Sequence, residues 1–216
     1  MSHAKKLTAD FLFAVHVIGA LVLGVSQFVR MLSTLQGVSL SMFLSFEAFL
    51  AINLFLAIRA HKVQPSRVTA QTILSYALWI VLIALDLAAI AVNGTYQWST
   101  NDTVTLVLVG IGVVGTFLVG VSNSRSVNDP IVKAWFAVFF KAMPQLLLAA
   151  KIFQFGGAGT PGAAIVSGHC TILTRIGQLI FAIREAGWDR NRVGLVVSET
   201  ANELSWVVVT IIWLFR

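Results

Sequence analysis

Seven apolar runs follow one another along the chain, at about 11–31, 38–58, 72–92, 103–122, 131–153, 163–183 and 194–214. Each is close to the roughly 20 residues a helix needs to cross the hydrocarbon core of a bilayer. The connections between them are short. Those at 93–101, 122–130 and 156–162 are rich in turn-forming residues. None is long enough to hold a soluble domain, so any activity is expected within or between helices. The pattern predicts an all-α, polytopic membrane protein with seven transmembrane helices.

The polar interruptions are more informative than the apolar runs. Lys141-Ala142-Met143-Pro144-Gln145-Leu146 lies inside the fifth run. A proline there removes one backbone hydrogen bond and is expected to bend the helix. Lipid accepts neither a glutamine nor a lysine at that depth, so protein neighbours or a wet cavity must receive them. Lys151 lies nearer the end of the same run, where its side chain can snorkel to the surface.

Composition agrees with this pattern. Of 216 residues 57% are hydrophobic and 11% charged, and mean hydropathy is +0.86. A soluble domain usually carries about 25% charged residues. The net charge of +6 reads as loop bias in a membrane protein, not as nucleic-acid binding. Lys5, Lys6, Arg59, Lys62, Arg67, Arg125, Arg184, Arg190 and Arg192 fall on one side of a seven-span chain, and Arg30 and Arg216 on the other. The positive-inside rule then predicts a cytoplasmic N-terminus and an external C-terminus, in a cell (inner) membrane. Lys5 and Lys6 before Phe11–Val29 imitate a signal peptide, but no small-residue cleavage site follows, and the run reads as a spanning helix. The single Cys170 can form no internal disulfide.

Three echoes divide the chain. Ser26-Gln27 matches Pro144-Gln145, Leu54–Arg59 matches Leu179–Arg184, and Trp79 with its apolar followers matches Trp206 with its own, at offsets of 118, 125 and 127. The drift is what a longer loop at 156–162 would produce. The run at 103–122 has no partner. A three-helix unit ends on the side opposite its start, so this helix can return the chain for a second copy in the same orientation. The expected domains are a first three-helix repeat at 1–92, a linker helix with flanking loops at 93–130, and a second repeat at 131–216. The linker run reads as free of charge, and its Gly110, Gly112, Gly115 and Gly120 suit close helix packing.

On these residues the chain resembles the PQ-loop superfamily, which includes the SWEET transporters. Pro144-Gln145, Ser26-Gln27 and Gly37-Val38-Ser39-Leu40 carry the resemblance, with Ser26 standing where the family has proline. The nicotinamide riboside transporters share the three-plus-one-plus-three plan. The resemblance implies a parallel-repeat transporter of a sugar or amino acid, with a substrate site between the third and seventh helices. Transferred to this chain, that site comprises Trp79 with Ser75 and Trp206 with Asn202.

An amide beside an indole suits a small polar molecule. Gln27 and Gln145 are expected to line the cavity, and Pro144 to act as the hinge. Asp86, Glu203 and Glu47 are the proton-coupling candidates. A carboxylate deep in a span costs about 2.5–3.5 kcal/mol on insertion scales, so it marks function or a paired helix contact. Glu47 has Arg30 or His16 as a candidate partner, and Asp86 has Lys141. Trp98, Trp188 and Trp213 read as interfacial belt residues. No His pair stands at metal-binding spacing and no nucleophile–base pair is visible, so neither metal, cofactor nor enzymatic activity is expected. The expected partners are a small-molecule substrate and membrane lipid, not nucleic acid, with the chain a monomer or a homo-oligomer. The alternative reading is a seven-helix receptor or regulatory binding protein that does not transport.

Overall fold

A computed structural model describes residues 3–122 and 129–216, excluding the side chains of residues 3–6 and of Ala186. Of the residues behind the charge bias, Arg125 and the side chains of Lys5 and Lys6 lie outside the described residues. The described chain is all-helical: α1 (His3–Ser33), α2 (Leu40–Val63), α3 (Arg67–Asn93), α4 (Thr100–Ser122), α5 (Pro130–Ala137), α6 (Met143–Phe155), α7 (Gly162–Ala186) and α8 (Arg190–Leu214). A π-helical turn, Val138–Ala142, joins α5 to α6, and these three form one span, Pro130–Phe155. Seven helical spans are long and apolar enough to cross a membrane.

Several helices begin before their apolar runs because polar caps set their starts. Ser66 accepts from the Thr69 N–H while Thr69 reaches back to the Ser66 N–H, so α3 begins a turn ahead of the apolar run at 72. Asp129 caps α5 through the Ile131 N–H, with Pro130 in the first turn, where its missing N–H costs nothing. Asp189 caps α8 through Arg192.

The packing order differs from the chain order. Helices α1 and α2 both pack on α3. The fifth span and α7 both pack on α8. Across the two groups α1 packs on α7, and α2 packs on the fifth span. These six contacts close a ring: α1, α3, α2, the fifth span, α8, α7, and back to α1. Helix α4 stands outside, against α2 and the fifth span.

Two expectations about this region are corrected. The fourth helix starts at Thr100, so it includes Asp102 and is not free of charge. Lys151 does not snorkel. Its side chain is 5% exposed, and its Nζ lies 2.7 Å from an Asp102 carboxylate that is fully buried. Ser41 and Ser99 also donate to Asp102, at 2.9 and 2.7 Å. Lys151 further donates to the Tyr96 hydroxyl, which accepts from the Leu40 N–H as well. Burial holds the Tyr96 phenol above its ordinary range, so it stays protonated. This cluster binds α4 to α2 and α6. Of the α4 glycines, Gly112 meets the Phe139 ring, whereas Gly110 and Gly115 face open space.

Candidate functional site

The ring encloses a cavity of about 120 Å³ lined by all six of its helices and by no residue of α4. Its walls are mostly apolar, from Met42, Phe43, Phe49, Ile83, Leu148 and Ile172. Small-solute sites have this form, an apolar cleft with a few placed polar groups.

Local helix chemistry positions the polar groups. Pro144 is fully buried and has no N–H to give to a helical carbonyl. The chain before it widens into the π-turn at Val138–Ala142, where the Met143 N–H bonds back to the Val138 carbonyl. Such turns concentrate at functional sites. Gln145 follows directly, donating to Asn202 Oδ1 at 3.1 Å and accepting from the Ser205 hydroxyl. On α8 the Trp206 indole donates to the Ile165 carbonyl at 3.1 Å. Its ring fits against α7 because position 168 is glycine; a Cβ there would strike the indole.

One end of the cavity is tied shut. The α1–α2 and α6–α7 connections meet there. Gly159 N–H donates to the Gln36 carbonyl at 2.8 Å, Gln27 to the Gly159 carbonyl at 2.8 Å, and Arg30 to the Ala158 carbonyl at 2.6 Å. Trp213 adds a bond to the Thr160 carbonyl at 2.8 Å. Gly37 sits at φ +75, and a Cβ there would also collide with the Gly156 carbonyl. Gly37→Ala is expected to lose about 1–2 kcal/mol from the left-handed backbone alone, and more from the collision. Thermal unfolding in detergent checks this, and an unchanged midpoint would contradict the contact.

The middle of the cavity carries a charged cluster. Lys141 Nζ stands 3.8 Å from Glu199 Oε2, and Arg175 Nε stands 3.2 Å from Glu199 Oε1. Tyr76 lies beside Arg175, and the His16 ring is within electrostatic reach of all three charges. Each of these groups sits roughly ten residues, or about 15 Å of helix, from the end of its span on the N-terminal side. That is near the middle of a hydrocarbon core about 30 Å thick.

The sequence-predicted residues fall into two sets. Gln27, Gln145, Trp79, Asn202 and Trp206 all line the cavity, with Pro144 behind Gln145. Ser75 does not line it; Tyr76 and His16 flank Trp79 there instead, the His16 and Trp79 rings 6.5 Å apart. The three acid candidates do not line it either. Glu203 is 2.7 Å from His169 Nδ1, whose Nε2 reaches the Thr210 hydroxyl at 2.8 Å. Asp86 is completely buried with neither carboxylate oxygen hydrogen-bonded, and Lys141 is paired with Glu199 rather than with it. Glu47 is half-buried with Oε2 unpartnered. Its candidate partners are engaged elsewhere, Arg30 on Ala158 and His16 on the Thr171 carbonyl.

Sequence reasoning passed over Glu199 and Arg175. The signal was present. Glu199, Asn202 and Trp206 share one helix face at spacings of three and four. Arg175 is an arginine in the middle of an apolar run, which itself marks a buried function. No family model, curated protein or solved structure matches the chain.

Proposed function

We propose that the chain is an integral membrane carrier that moves a small polar solute by alternating access. One observation carries this reading: six helices form a ring around a mid-depth cavity with convergent polar side chains, and the seventh stands outside. The packing order supports the three-plus-one-plus-three plan, because α1 and α2 use α3 as the fifth span and α7 use α8. It also supports the resemblance to PQ-loop transporters. Rocking of the two three-helix groups would break the loop ties at Gln36–Gly159 and Arg30–Ala158 and open that end. The π-turn before Pro144 gives the fifth span a place to flex.

The test is uptake into proteoliposomes of labelled sugars, amino acids, nucleosides and small carboxylates, with and without a pH gradient. One class is expected to accumulate or equilibrate. Pro144→Ala with Gln145→Leu is expected to reduce initial rates at least tenfold while the protein still folds and inserts. Normal rates in that variant would sink the mechanism, and ligand binding without flux would favour a receptor. Asp86 is the acid we assign to coupling, because it is buried deep in α3 with no partner. Accordingly, a pH gradient should drive wild-type uptake and fail to drive Asp86→Asn. Gradient-independent uptake in both would leave Asp86 a structural residue.

A further inference from the structure

We propose that the cavity selects a small organic monocarboxylate, held by its carboxylate between Lys141 and Arg175. This rests on the cavity being a solute site, and it names the class of solute. Lys141 and Arg175 both line the cavity, whereas Glu199, which faces both, does not. Fully ionised, the cluster holds two cations and one anion. Among the described residues no second carboxylate is in ion-pair contact with either cation; Asp102 is taken by Lys151, Glu203 stands against His169, and Asp86 has no hydrogen-bond partner.

With Lys141 and Arg175 both protonated, one positive charge is left over near the middle of the bilayer, where an uncompensated charge is costly. A bound anion removes that cost. One surplus charge matches a monoanion. Glu199 engages Arg175 through Nε, one of five guanidinium donors, and a carboxylate is the shape the guanidinium fork binds best.

The rest of the cavity specifies the remainder of the ligand. Apolar walls from Phe46, Leu50 and Ile172 suit a carbon body, and Gln145 and Asn202 suit one hydroxyl or carbonyl on it. A volume of about 120 Å³ limits that body to a few carbons. The charge also belongs to one half of the molecule. The echo offsets of 118 and 125 place Leu23 opposite Lys141 and Leu50 opposite Arg175, and both leucines line the cavity. One end of the solute would thus meet cations and the other hydrocarbon.

The experiment uses the full chain in detergent, with lactate as probe and lactamide, glucose and chloride as comparisons, read by calorimetric titration. Lactate is expected to bind saturably and lactamide at least tenfold more weakly, with glucose and chloride showing no saturation. Arg175→Gln and Lys141→Met are each expected to weaken lactate at least tenfold. Equal binding of lactate and lactamide, or glucose binding without lactate binding, would overturn the proposal, and this comparison on the unmodified protein stands if a variant fails to fold. Undiminished lactate binding in both folded variants would overturn it too. Lactate binding without lactate flux in proteoliposomes would refute the carrier reading and leave the site assignment standing.

Discussion

Replacing Lys151 with methionine is expected to destabilise the protein by about 3–5 kcal/mol, the usual cost of removing one partner from a buried ion pair. The Asp102 carboxylate is fully buried and Lys151 is 5% exposed, so water cannot take over the lost contact. Asp102 would keep its serine donors, at 2.7 Å from Ser99 and 2.9 Å from Ser41, but no cation. The loss is larger than one contact because Lys151 also bonds Tyr96, whose hydroxyl receives the Leu40 N–H at the start of α2. Denaturant titration in mixed micelles measures it. The double variant Lys151→Met with Asp102→Leu removes both charges and is expected to recover most of the loss, since apolar replacements of a buried pair are often neutral. By contrast, Arg190→Ala at the Arg190–Asp129 pair should cost less, because the Arg190 side chain is 65% exposed and solvent weakens its side of the contact. A Lys151→Met variant as stable as the parent would mean that Asp102 is not held as described.

The seven spans are legible in the sequence because lipid imposes one requirement, length of apolar run, and each run meets it. Their ends are less legible. Caps such as Ser66 and Asp129 start helices in polar sequence, and for the same reason Asp102 was excluded from the fourth run. Five candidate site residues reach one cavity, each marked by an echo or by the resemblance: Gln27 with Gln145, Trp79 with Trp206, and Asn202; Ser75, which the resemblance also marks, does not. Side-chain partners are set by which helices adjoin, and chain order hides that. Helix α1 neighbours α7 rather than α2, so His16 meets Thr171 and not Glu47. The same ring order puts Lys141, Arg175 and Glu199, from three separate spans, around one point. A lysine near a span end reads as snorkelling until a carboxylate on another helix is known to face it, as Asp102 faces Lys151.

Replacing Glu199 with glutamine is expected to act in opposite directions on stability and on anion affinity. The Glu199 carboxylate is 5% exposed and is the counter-charge of both Lys141 and Arg175. Without it two cations face each other in the interior, and the cost should again be about 3–5 kcal/mol in buffer free of carboxylates. The same change removes the anion that competes with a bound carboxylate, so lactate should bind more tightly. A tenfold gain in affinity is about 1.4 kcal/mol. At one fixed, near-saturating lactate concentration the variant should therefore regain about that much more stability than the parent does. A structural ion pair with no ligand role predicts otherwise: the variant loses stability, and lactate restores none of it. Unfolding curves of parent and variant with and without lactate separate the two. A larger lactate-induced shift in Glu199→Gln marks the cluster as a carboxylate site; equal or absent shifts mark it as a strut between α7, α8 and the fifth span.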